Sequence, residues 1–428
     1  MSILLFCEQS STRLQYICKF IFGEQLNNSC SITIDAENFE KHDGPKINYS
    51  SRSFKDNSLQ IIPQGLLLQN GIHAQQIHCD EGSGNKYFFK TGGQYPYDIL
   101  SGCFYLISRY EEYLPNAEDE YGRYAHTNSI AYQKDFLKTP LVNFWIQDFI
   151  KILQQHYPAL KITTASFTFN PTYDIDIAYA YLYKGLLRNL GGFLLSPSLT
   201  RLKVLSGFRG DPYDIYDYLD ELHEKHALKP RYFYLVAASS GLYDKNIPPS
   251  NAAMQHLLKK QSAKYEIGLH PSWASYLNEE ILQAEKEVLS TLINKRVLHS
   301  RQHYIRFLLP KSFEILESTG ITDDYSMGYG SINGFRASVA SSFTWYNVEK
   351  EKISKLRIHP FCFMDANSFF EQHDTAEQAL QELMYFTDQC KKANAELTTI
   401  FHNNILGYDS RFEGWRTMYE QFISQLLQ

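Results

Sequence analysis

With 428 residues the chain can bury one large core or two moderate ones, and 44% hydrophobic with 21% charged residues is ordinary globular composition. A net charge of −6 and a pI near 6.2 argue against nucleic acid as the main partner. Seven widely spaced cysteines without a C-x-x-C pair exclude a disulfide scaffold and a cysteine zinc site, and no run approaches the ~18 apolar residues of a membrane span.

The first residues lack a basic n-region, and Glu8 interrupts the apolar run at once, so a cytoplasmic location is expected. Ile3–Cys7 and Ser31–Asp35 read as short strands with a helix from Thr12 to Phe22 between them. Leu59–Leu68 reads as a further strand or hairpin. In Tyr97–Tyr113 the apolar positions 99, 100, 103, 104, 106 and 107 follow a helical period that Pro115 closes. An acidic, glycine-containing loop follows at residues 116–122, then a helix over Leu141–His156. Residues 1–160 therefore read as one α+β domain.

Beyond this point strand-like runs alternate with helical ones. Strands are expected at Ile162–Tyr173, Arg231–Val236, Glu266–Leu269, Tyr304–Phe307, Ser341–Tyr346, Lys355–His359 and Leu397–His402. Helices are expected near Tyr213–His226, Asn251–Ser262, Asn278–Leu292, Leu309–Ser318 and Thr375–Ala393. Such alternation argues for parallel βα units in a barrel or wound sheet. Residues 161–428 are the expected second domain, an α/β unit of the size of one barrel.

The most informative stretch is Phe167–Asp176, an alternating apolar run ending in Asp174 and Asp176. Residues i and i+2 of a strand share a face. Two acids crowded at a strand's carboxyl end need a cation, a proton or a cationic side chain between them. In parallel α/β folds that end of the strand is where chemistry is done. A second run ends at His270, where Pro271 stops pairing, and a third ends at His402. Neutral imidazole with carboxylate is a first shell for zinc or another divalent ion. In Ser300–Phe307, Arg301 and Arg306 read either as guanidinium groups that orient a carboxylate or anionic substrate, or as surface ion pairs. His299 and His303 lie four apart, but the alternation around them looks like a loop entering a strand. The segment Asp323–Arg336, with its glycines and aromatics, reads as a loop able to wall a cleft.

The order of these segments resembles the polysaccharide deacetylases of carbohydrate esterase family 4, the NodB homology domain. Thr172-Tyr-Asp-Ile-Asp176 loosely matches the family's T-F-D-D, and His270-Pro-Ser272 part of its H-S/T-x-x-H. Arg301–Arg306, Asp324–Tyr329 and His402 follow in the family's order. The first half resembles the domain that precedes divergent deacetylase domains in Bacteroidetes-type bacteria, through Leu106–Pro115, Asp119–Arg123 and Pro140–Val142.

The resemblance implies a distorted (β/α) barrel and metal-assisted removal of an N-acetyl group from a sugar or glycan intermediate. It implies Asp174 as base, held by Arg301 or Arg306, and His402 as acid. Asp176 and His270 would hold a zinc-like ion. Tyr173, Ser272, Trp273 and Tyr329 would contact the carbohydrate. The family's second histidine falls at Ala274, so the metal set is expected to be incomplete. Two alternatives follow: a carbohydrate-binding relative without catalysis, and a metal-independent amidohydrolase acting on a small cyclic amide.

Overall fold

The computed structural model describes residues 2–427 except Ser83 and Ser196. β1 (Ile3–Cys7), β2 (Cys30–Thr33), β3 (Lys46–Tyr49) and β4 (Leu59–Gln60) form a sheet in the order β2-β1-β3-β4. Every pair is parallel. β1 is buried at all its positions, as a central parallel strand must be. The helix Thr12–Cys18 opens on Ser11, whose hydroxyl accepts from Leu14 N at 3.0 Å. This parallel, wound arrangement corrects the expected α+β character. The apolar spacing locates the elements but does not reveal the direction in which strands pair. β5 (Asp80–Gly82) and β6 (Asn85–Tyr87) form a small antiparallel pair.

A nine-stranded sheet follows. Its members are β7 (Thr168–Ile175), β8 (Arg231–Leu235), β9 (Glu266–His270), β10 (His299–Ser300), β11 (Asp323–Asp324), β12 (Phe343–Asn347), β13 (Lys352–Ile358), β14 (Phe363–Met364) and β15 (Glu396–His402). Their order is β12-β13-β11-β10-β9-β8-β7-β15-β14. All pair in parallel except β12 with β13. β12 and β14 are not paired with each other among the described residues, so no closed sheet is seen there.

Most expected elements fall within two or three residues of their positions, such as the helices Glu279–Ile293 and Ala376–Lys392. Two strands differ. β7 begins at Thr168, not Ile162, because its neighbour β15 begins at Glu396, opposite Thr168. The expected strand Tyr304–Phe307 is replaced by the two-residue β10 and a tight turn. Tyr304 and Ile305 take left-handed φ values of 58° and 53°, which reverse the chain.

The apolar interior is continuous from β1 to the last helix, Trp415–Leu426. Tyr16 packs on Tyr346 with ring centroids 4.9 Å apart, and Tyr16 Oη donates to Thr344 O at 2.8 Å. Deeper in the same seam, Glu112 accepts from Arg336 Nη2 and Arg109 Nε, each at 2.6 Å. These contacts seat the loop that follows Tyr113 against the larger sheet. No helix among the described residues is long and apolar enough to cross a membrane.

Candidate active site and metal centre

β7, β9 and β15 run in parallel, with Asp174 level with His402. Asp174 and Asp176, His270, and His402 therefore converge where these strands end. They line one cavity of about 310 Å³, together with His303 from the turn after β10.

Arg301 fixes Asp174. Its guanidinium is fully buried and donates from Nη1 to Asp174 Oδ1 at 2.9 Å and Thr172 Oγ1 at 2.7 Å. Nε donates to Tyr325 O at 3.0 Å, and the Phe233 ring lies 4.4 Å beneath. A guanidinium so held fixes the carboxylate beside it in place.

Three imidazoles surround Asp176, and each has its Nδ1 occupied. His270 Nδ1 donates to Arg301 O at 2.5 Å. His303 Nδ1 lies 3.1 Å from Asp244 Oδ1, and His402 Nδ1 2.6 Å from Asp365 Oδ1. Fixing Nδ1 as the donor leaves Nε2 to face the cavity. The Nε2 atoms of His270, His303 and His402 stand 3.1, 3.6 and 3.8 Å from Asp176 oxygens.

Asp176 Oδ1 is buried and accepts no hydrogen bond among the described residues. His270 Nε2 faces it at 3.1 Å, yet that ring has given its proton to Arg301 O. Two lone pairs at that distance repel unless a cation or a proton lies between them. The ligand atoms of Asp176, His270 and His303 all lie within 4.8 Å of one another. One carboxylate and two imidazoles suit a catalytic divalent ion of zinc type. The residues present therefore fit such an ion.

The charges agree. Burial would raise Asp176, but the positive charge of neighbouring His303 holds it well below its ordinary value. Burial would lower His303, yet Asp176 and Asp244 push it up to about 9. His402 is pushed up to about 10, against burial, chiefly by Asp365. Without a metal, the site thus gathers protons as its positive charge.

His303 adds a third candidate ligand atom beside the expected Asp176 and His270. The second histidine comes from the turn after β10, not from the segment after β9. His270 and His402 are the last residues of β9 and β15, whereas His303 and Asp365 follow the two-residue β10 and β14, too short to show as apolar runs. Asp244 sits in a loop that no pattern marked.

Other expected site residues lie elsewhere. Tyr173 alternates to the opposite face of β7 from Asp174. There its hydroxyl meets His223 Nε2 at 2.7 Å and Tyr419 Oη at 2.5 Å in the core. Tyr329 is buried in the seam, with Arg109 Nη2 donating to its hydroxyl at 3.4 Å. Ser272 and Trp273 line a neighbouring cavity of about 460 Å³. Arg306 stacks outside the site, 4.1 Å from the Trp273 ring and 3.7 Å from Tyr276, because the left-handed turn at Tyr304 carries it away. Asp324 accepts from Ser326 N at 2.9 Å and so shapes a buried turn.

The first part of the chain completes the cavity wall. Tyr121 and Arg123 line it, with Tyr121 5.3 Å from the Tyr304 ring. Arg123 Nη1 donates to Tyr304 O at 2.8 Å and Gly330 O at 3.1 Å. Phe370, Gln302, Asn367 and Asn404 add an aromatic face and amide groups.

No curated protein matches the chain in sequence. Residues 3–158 match a family of unknown function, DUF7033. About three fifths of the chain is similar in structure to several solved proteins. A probable polysaccharide deacetylase from Pseudomonas aeruginosa aligns at 13% identity and a TM-score of 0.40, over 61% of this chain and 85% of its own. A polysaccharide deacetylase from Bacillus cereus aligns at 10% identity and a TM-score of 0.31, over 60% and 87%. A CE4 family pseudoenzyme from Bacillus anthracis aligns at 10% identity and a TM-score of 0.31, over 61% and 65%.

Proposed function

We propose that the chain is a metal-assisted amide hydrolase that removes an N-acetyl group from a carbohydrate. The observation that carries this reading is the buried Asp176 oxygen facing the His270 lone pair at 3.1 Å, with His303 beside them. Asp176, His270 and His303 would hold a divalent ion, which supplies polarisation of the acyl oxygen and of a water molecule. Asp174, aimed by Arg301, takes the proton of the attacking water. His402, held as imidazolium by Asp365, gives a proton to the departing amine. A base and an acid lining one cavity are what amide hydrolysis requires.

Tyr121, Tyr304 and Phe370 offer rings to the apolar face of a sugar, and Gln302, Asn367 and Asn404 offer amides to its hydroxyls. Because Tyr121 and Arg123 belong to the first 160 residues, the two expected domains act as one functional unit. Residues 161–428 then form an open variant of the deacetylase barrel.

The test is metal content of the purified protein together with turnover of N-acetylated sugars before and after chelation. One ion per chain and loss of turnover on chelation are expected. A metal-independent amidohydrolase is the second reading, favoured by the imidazolium that Asp176 and Asp244 impose on His303. Turnover unchanged by chelation would select it. A bound sugar without turnover would select a binding protein instead.

A further inference from the structure

Between Ile177 and Gly210 the sequence carries five cationic side chains and no acidic one, in a chain of net charge −6. This stretch leaves the end of β7 directly after Asp176 and folds into two short helices, Leu186–Leu195 and Leu199–Leu205. They touch each other: a Cβ on Gly192 would stand 3.0 Å from Arg201 Nη2. They contribute almost nothing to the core, with Asn189 and Val204 their only buried residues among those described.

Their apolar side chains face outward. Leu187, Leu194, Leu195, Leu199 and Phe208 are 86, 82, 90, 76 and 87% exposed. Burial of a leucine contributes about 1.5–3 kcal/mol, so a cluster left this exposed marks an interaction surface. The pair is nevertheless held in place. Arg188 donates from Nη2 to Lys245 O at 2.6 Å and from Nη1 to Ser240 Oγ at 3.0 Å. That same loop brings Leu242, 74% exposed, and Asp244, the partner of His303.

We propose that this helix pair docks the protein on the surface of an anionic lipid bilayer, seating its leucines among the acyl chains near the headgroups. Leucine and phenylalanine interleaved with lysine and arginine is the make-up of an interfacial helix, and neither helix is long enough to span. Lys203, Arg209 and Lys245 are exposed around the apolar face, and no acid in the stretch opposes them. That charge suits anionic headgroups. It disfavours a symmetric contact with a second copy, which would bring the same cations face to face. Docking here would set the strand end bearing Asp174 and Asp176 close to the membrane surface.

The test is flotation of the full chain with vesicles of phosphatidylcholine alone or mixed with phosphatidylglycerol. The wild type is expected to float with the mixed vesicles, at least about tenfold better than with the neutral ones, and to release as salt is raised. Leu187→Glu/Leu194→Glu/Leu195→Glu should lose binding at least about tenfold, with an unchanged melting temperature because these side chains touch little. Lys203→Glu/Arg209→Glu should lose the preference for anionic vesicles. Absence of binding to mixed vesicles, or a triple variant that binds like the wild type, would overturn the proposal. A vesicle-free dimer that the triple variant abolishes would also overturn it and give the face to a second copy. None of these readouts uses turnover, so they stand apart from the hydrolase reading.

Discussion

Two clusters of histidine and acid occupy the larger sheet, and they end differently. In the first, His270, His303 and His402 each spend Nδ1 on an outer partner and turn Nε2 toward Asp176. In the second, His359 uses both nitrogens, one 2.8 Å from Ser342 Oγ and the other 2.7 Å from Asp323. His299 Nε2 lies 3.2 Å from Glu266. Asp323 is held down at about 2, because the His359 hydrogen bond outweighs burial. The second cluster ties its acids into hydrogen bonds, with Tyr325 stacked on His359 at 4.2 Å, and leaves His299 Nδ1 without a partner. The difference is that the first cluster turns three Nε2 atoms toward one carboxylate at a cavity. Histidines and acids brought together do not make a reactive site; unshared acceptors aimed at one point do.

The sharpest way to break this comparison is Asp174→Asn. Removing a general base costs about 10²–10⁴-fold in turnover, so that loss is expected in kcat with ligand binding retained. Turnover near wild type would remove Asp174 from its role. His303→Ala should strip the metal and much of the activity, while His359→Ala should keep both and lower only stability, by about 1–3 kcal/mol. Equal metal content in the two variants would erase the distinction between the clusters. Asp244→Asn removes the acceptor behind His303 and should weaken metal binding about 10–100-fold, read by competition with a chelator.

Acidity sharpens the comparison further. Asp365→Asn takes away the main charge holding His402 at about 10, so the alkaline limb of the pH–rate profile should move down toward ~6.5. The smallest effect concerns the metal-free protein. His303 at about 9 binds its proton more tightly folded than unfolded. Its stabilisation is complete below an unfolded value of ~6.5 and is lost as pH rises through 9. Melting temperature should therefore fall across that window without metal. With metal bound, the ion replaces the proton and this decline should vanish.

Much of this was legible in the sequence. Asp174, Asp176, His270 and His402 stood at the ends of apolar runs, and Arg301 was among the cations expected to hold Asp174. What escaped depended on chain reversal. Period-two alternation gives no warning that Tyr304 and Ile305 adopt left-handed backbone, so His303 was read as the lead-in to a strand and Arg306 as a neighbour of the acids. Tyr173 shows the reverse error: the alternation that pairs Asp174 with Asp176 also sends Tyr173 to the other face, into the core. The helices at 186–205 gave no burial signal to read, because they bury so little.

The most direct test of the account is a crystal of the protein grown with zinc, with data collected across the zinc absorption edge. The account predicts one anomalous peak bounded by Asp176, His270 Nε2 and His303 Nε2, at about 2.0–2.2 Å from each ligand atom. A peak beside Asp323 and His359, or none at Asp176 under saturating zinc, would contradict it.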